Sequence, residues 1–239
     1  MTFVSGTYSN KIINSVTSLG SSDWGKMIQA QGSSAYTITL PSPTNMSGRF
    51  IDFSIETTSN AIVTLSPPSG TISGQSSILY GAKDGCRITT DGTNFFIVNE
   101  YLYPVGFRVT LSTDQTVTTS VVVTAFDTVE RDLGSYFNTS THIYTPLYPG
   151  RYVYSSSIQW TSGTAQILNS FIQMNGTSKT GTAITNGIGN YASNVDMVGE
   201  YMNGTTDNMS VSTQMQTANA TVVSGNLHTY FRGYRQSSF

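Results

Sequence analysis

Apolar and polar residues alternate with a period of two along much of the chain. Tyr36, Ile38 and Leu40 alternate with Thr37 and Thr39 until Pro41 ends the run, the pattern of a half-buried strand. Ile51, Phe53 and Ile55 alternate with Asp52, Ser54 and Glu56, and Ala61, Val63 and Leu65 repeat the pattern before Ser66-Pro67-Pro68-Ser69-Gly70 closes it. Arg87-Ile88-Thr89-Thr90, then Asp91-Gly92, then Asn94 to Val98 predicts a hairpin through an Asp-Gly turn. Residues 1–34 are polar and weakly patterned, with one short helical or turn segment predicted at Asp23 to Ile28. Five or so short strands are therefore expected before residue 100.

Asn99-Glu100-Tyr101-Leu102-Tyr103-Pro104 ends that series and marks the expected boundary, giving domains 1–100 and 101–239. Strands resume at Phe107 to Leu111, Val121 to Phe126, Ile143 to Thr145, Tyr152 to Trp160 and Gln166 to Met174. Asn175-Gly176 and Asn203-Gly204 predict tight turns. Asn208 to Gln214, Ala220 to Val223 and Thr229 to Tyr234 complete the set, which suits a sandwich or jelly roll. The sequence shows no heptads, no collagen-type Gly-x-y repeat and no internal repeat of fixed period, so it lacks the usual means of building a long fibre shaft.

Composition sharpens this picture. Charged residues make up 10% of the 239, where a soluble domain usually has ~25%. Eleven Lys+Arg against thirteen Asp+Glu leave a net charge of −2, which excludes nucleic-acid binding driven by counterion release. Aromatic residues reach 11%, unlike a disordered chain. Glycine, threonine and aromatic residues dominate where helix formers would, so the fold class is all-β. A surface so poor in charge suits a chain that lives in an assembly. The first residues lack a charged segment followed by an apolar one, so no secretory signal is read there. No run is long enough to predict membrane insertion. Synthesis in the cytoplasm is expected.

Catalytic chemistry finds little to work with. His142 and His228 stand apart, in no metal-binding spacing. The single cysteine, Cys86, lacks a nucleophile motif, and buried packing is its expected role. No G-x-S-x-G elbow occurs. Asp127, Glu130 and Asp132 cluster in sequence, either as a solvated loop or as oxygen ligands for calcium. No catalytic, cofactor-binding or metal-binding residue is assigned, and the chain is read as no enzyme and as needing no cofactor.

Val123-Thr124-Ala125-Phe126-Asp127, Gly134-Ser135-Tyr136-Phe137-Asn138, Ile143-Tyr144-Thr145-Pro146 and Pro149-Gly150-Arg151-Tyr152-Val153-Tyr154-Ser155 follow one another in order. With the closing Thr229-Tyr230-Phe231-Arg232-Gly233-Tyr234, they resemble the core of the C1q/TNF-like jelly-roll family over residues 105–236. Its Leu-x-x-Gly-Asp turn is matched only loosely, at Tyr201 to Asp207. Residues 16–99, through Ile38-Thr39-Leu40-Pro41-Ser42, Gly48 to Phe53 and Asp91 to Val98, resemble small β-domains of phage fibre and virion-surface proteins.

These resemblances imply a homotrimeric virion-surface protein of a tailed phage. It would be a capsid decoration or short head fibre, held through residues 1–100 by the major capsid or another virion protein. Two alternatives are a tail fibre or tip module that binds a host surface glycan or receptor, and an envelope-degrading enzyme on the same scaffold. Tyr136, Tyr144, Tyr152, Tyr154, Trp160, Phe231 and Tyr234 are the candidates for trimer interface or core. Few ion pairs are available to span an interface, so aromatic burial is expected to drive trimerisation. Salt, or pH between ~6 and 8, should then have little effect.

Overall fold

The period-two runs of the first hundred residues fold into two sheets that share one core. The computed structural model describes residues 9–58, 61–225 and 227–237. It divides into one unit of Met1–Tyr103 with Ser237–Phe239, and a second of Pro104–Gln236. The first unit runs β1 (Asn10–Ile13), β2 (Thr17–Ser18), a 3₁₀ turn (Ser21–Asp23), β3 (Met27–Ala30), β4 (Tyr36–Thr39) and β5 (Phe50–Ile55). It continues through β6 (Val63–Ser66), β7 (Ile78–Tyr80), β8 (Gly85–Thr90) and β9 (Phe95–Tyr101).

One sheet has the order β1-β3-β5-β8-β9 and the other β2-β4-β6-β7. Successive strands alternate between the sheets, and β1-β3-β5 and β2-β4-β6 pair in parallel. Each circuit therefore stacks on the one before, as in a solenoid. The antiparallel pairs β6-β7 and β8-β9 end the stack. Ile38, Leu40, Ile51, Phe53, Ile55, Val63 and Leu65 are all buried in the shared core, on the faces that the alternation predicts.

Two charged groups hold the circuits together. Asp23 accepts from Lys11 Nζ at 2.7 Å, Lys26 Nζ at 3.0 Å and the Gly20 backbone N–H at 2.9 Å, joining β1, the 3₁₀ turn and the segment before β3. Arg87 donates to both oxygens of Asp52, at 2.7 and 2.8 Å, and lies over the Phe50 ring at 4.4 Å.

Several expectations need correction here. Asp23 to Ile28 is not one turn: the 3₁₀ turn ends at Asp23, and Met27 begins β3. The weakly patterned start is part of the fold, because Ile13 and Leu19 join the core; Met1 to Tyr8 lie outside the described residues. The hairpin loop is longer than a two-residue Asp-Gly turn, since Asp91 Oδ1 accepts the backbone N–H groups of both Thr93 and Asn94.

The second unit comprises β10 (Gly106–Thr110), β11 (Gln115–Val117), β12 (Val122–Val123), β13 (Thr128–Leu133), β14 (Phe137–Asn138) and β15 (Ile143–Tyr144). It then continues through β16 (Gly150–Met174), β17 (Thr177–Met202), β18 (Met209–Met215), β19 (Ala220–Val222) and β20 (Tyr230–Ser237). Its strand path is β13-β10-β20-β16-β18-β15-β14, with β17 paired to β16. Strand β16 belongs to two wings. Its first part adjoins β20, Trp160 and Thr161 pair with β19, and Leu168 to Met174 pair with β18. Breaks in register at Ser162/Gln166 and Gln166/Leu168 mark the change of sheet, as bulges do at sandwich corners.

The wings meet on aromatic rings. Phe107 of β10 stacks on Tyr144 of β15 at 4.0 Å and meets Phe231 edge-on at 4.8 Å, while Tyr152 and Tyr154 stack at 5.9 Å. The non-sequential neighbours β10-β20 and β15-β18 give the wiring of a jelly-roll sandwich.

Residues 152–174 form one strand rather than two, because the Ser162 hydroxyl closes on Thr164 O (2.8 Å) and the interruption becomes a bulge. Val121 to Phe126 gives only the two residues of β12. Gln115 bonds Val123 O and Ala125 N through its side chain, replacing a ladder there.

Phe231 is fully buried and Tyr234 is 56% exposed. Phe231→Ala is expected to destabilise the second unit by ~3–5 kcal/mol and Tyr234→Ala by no more than ~0.5 kcal/mol, measured by urea denaturation. Burial raises the pKa of Asp23, but Lys11, the Gly20 N–H and Lys26 outweigh it, so the carboxyl titrates below its ordinary value. A depressed carboxylate contributes stability above its unfolded pKa of ~3.9 and loses it as pH falls through the lower folded value. Wild type should therefore weaken in acid below pH ~4 more steeply than Asp23→Asn, whose melting should be lower at neutral pH but flatter with acid.

Candidate interaction surface

Alternation on the first wing of the second unit decides which side chains face outward. Phe107 and Val109 on β10, Phe231 and Gly233 on β20, and Tyr152 and Tyr154 on β16 are buried toward the aromatic core. Arg108, Arg232 and Ser155 therefore lie on the opposite face. Gly233 is required where it stands, because a Cβ there would run into the Tyr154 ring.

The outward residues form a row across the strands. Arg108 pairs in register with Arg131 of β13 on one side and with Arg232 of β20 on the other. Arg232 Nε donates to Ser155 Oγ at 2.7 Å, and Ser155 stands opposite Asp196 of β17. Arg108 Nε lies 2.6 Å from Glu130 Oε2. The guanidinium groups of Arg108 and Arg232 both lean on the Tyr230 ring, at 4.5 and 5.4 Å.

Strand β17 borders this surface. It is 26 residues long and, among the described residues, pairs only with β16, so its second edge presents backbone donors and acceptors with no strand beside them. Sheet proteins usually protect such an edge with charges, proline or shortness. From Thr180 to Val195, β17 has neither a charge nor a proline. Its paired charges are Lys179 and Glu200, 3.4 Å apart.

The seven aromatic candidates separate cleanly. Tyr144, Tyr152, Tyr154, Trp160 and Phe231 are fully buried within their own unit, Tyr136 is half-buried and Tyr234 is exposed. Burial, reinforced by neighbouring tyrosines, pushes the Tyr144 and Tyr154 hydroxyls far above their ordinary range. The five buried rings hold their unit together, which leaves Tyr136 and Tyr234 of the seven with surface to offer a partner. The arginine row and the β17 edge escaped sequence reasoning. The arginines are far apart in sequence, and only the register brings them together.

The residues considered for chemistry are dispersed. His142 Nδ1 lies 2.9 Å from Phe126 O, and His228 is exposed on a loop. Cys86 is buried, and that burial pushes its thiol well above the ordinary value. Asp127 accepts from the Ser112 N–H and hydroxyl, Glu130 faces Arg108, and Asp132 accepts from the Phe137 N–H. Among the described residues, no three His, Cys, Asp or Glu side chains gather as a metal site.

No family model matches the sequence, and no curated protein matches it. Solved structures with a similar fold include Eiger TNF from S. frugiperda, with 9% identity and a TM-score of 0.44, covering 57% of this chain and 93% of that one. Murine APRIL at pH 5.0 shares 11% identity at a TM-score of 0.46, covering 56% of this chain and all of that one. The globular domain of zebrafish complement 1qA shares 11% at 0.37, covering 57% and 98%. At such identities and scores, no function passes from these proteins to this one.

Proposed function

We propose that the chain is a non-enzymatic structural protein of a virion surface. It would be a homotrimeric capsid decoration or short head fibre, anchored through residues 1–100 and displaying the jelly-roll unit. The observation that carries the self-association is the uncovered, uncharged edge of β17 between Thr180 and Val195. A free chain with such an edge is open to indiscriminate pairing, and a closed assembly of copies covers it. The virion assignment rests on the resemblance of residues 16–99 to phage fibre domains. A solenoid whose first strands, β1 and β2, each have one neighbour among the described residues suits that role, because a further strand can stack there.

A receptor-binding fibre tip is the second reading. It is favoured by Phe96, Val98 and Tyr101, which are 41%, 56% and 61% exposed along β9, an apolar strip available to a host-surface ligand.

Sedimentation of the full chain is expected to give three times the 25.8 kDa chain mass; a monodisperse monomer at micromolar concentration contradicts the proposal. Immunogold against the chain should label the surface of intact particles. Label confined to cell debris would remove the virion role while leaving the trimer intact.

A further inference from the structure

Like charges set opposite one another across strands repel, and the outward face of the first wing sets three guanidinium groups abreast. Arg131, Arg108 and Arg232 are three of the chain's eleven basic residues. Glu130 offsets Arg108. Arg232 uses Nε on Ser155, and no carboxylate among the described residues pairs with its terminal nitrogens.

The opposite charge stands at the far end of the same row. Asp196 is exposed on β17, and its carboxylate makes no hydrogen bond or ion pair among the described residues. It is the unpaired charge of that strand, since Lys179 and Glu200 hold each other. Two strand spacings, ~10 Å, separate its strand from that of Arg232, so the row's ends do not neutralise each other within one chain. One surface is thus positive across β13, β10 and β20 and negative at its other end, on β17.

We propose that the arginine row receives Asp196 of a second copy, so that the β17 edge of one molecule lies on the Arg108–Arg232 face of the next. This rests on the self-association proposed above and supplies its specificity. Guanidinium forks bind carboxylates with two parallel hydrogen bonds. Ala192 and Asn194, exposed at alternate positions before Asp196 on β17, carry small, uncharged side chains that let the edge come close. Donor and acceptor are different patches, so the contact is head-to-tail, and repeating it around an axis closes a ring. Association is then salt-sensitive, contrary to the expectation drawn from composition; of the seven aromatics read as interface or core, Tyr144, Tyr152, Tyr154, Trp160 and Phe231 are buried in their own unit.

Sedimentation equilibrium of the full chain tests this in 0.05 M and 1 M NaCl, with Asp196→Arg, Arg232→Asp and the double variant. Thermal melting verifies that each is folded, and Asp196→Asn and Arg232→Gln serve if a reversal melts early. The wild type should assemble and weaken at least ~10-fold in 1 M salt. Each reversal should weaken assembly at least ~10-fold, and the double variant should recover most of that loss. Wild-type affinity in Asp196→Arg, or a double variant no better than either single one, overturns the pairing while the trimer stands. Dissociation by Arg232→Asp alone means that another anion occupies the row, which also overturns it. A monomeric wild type overturns both readings.

Discussion

Strand β16 needs partners for its backbone groups over 25 residues, and the second unit is arranged around meeting that need. Strand β17 follows it along one edge, from Gly150↔Met202 to Met174↔Thr177. On the other edge the partner changes from β20 to β19 to β18 as the chain turns from one wing to the next. Buried N–H and C=O groups must be paired, so the bulge around Ser162 is where the sandwich can fold. Among the described residues, the same arrangement leaves β17 paired on one side only.

Scarce charge works differently in the two units. In the first, the carboxylates of Asp23 and Asp52 are nearly enclosed; Asp23 binds Lys11 and Lys26, and Asp52 binds Arg87 of the adjacent strand. Losing one partner of such a pair is costly, so these groups lock the circuits. In the second, the outward face of the first wing carries Arg131, Arg108 and Arg232, of which Glu130 offsets Arg108. Groups that hold a fold together are satisfied within it; Arg232, exposed and with no carboxylate partner among the described residues, is the part that another molecule can complete.

Alternation made the core legible. Ile38, Leu40, Ile51, Phe53, Ile55, Val63 and Leu65 lie on the faces their spacing implies, and the order of aromatic motifs after Val105 led to a jelly roll. Strand direction was hidden, because parallel and antiparallel strands with one buried face share a period. Strand β17 was hidden too. Its run of Gly, Ala, Asn and Thr lacks an apolar stripe since much of it is exposed, although Asn175-Gly176 and Asn203-Gly204 marked its two ends. Tyr144, Tyr154 and Phe231 could be read as core or as interface, and only the ring contacts around Phe107 resolve that choice. The arginine row had no sequence signature at all, since it arises from the pairing of β13, β10 and β20.

The central claim is that the free edge of β17 is covered by another copy, and amide hydrogen exchange across that strand tests it most directly. At assembling concentrations, amides between Thr180 and Val195 that point away from β16 should exchange slowly, and they should become fast on dilution while those of β10 and β20 stay protected. Fast exchange along that edge at every concentration would contradict the account.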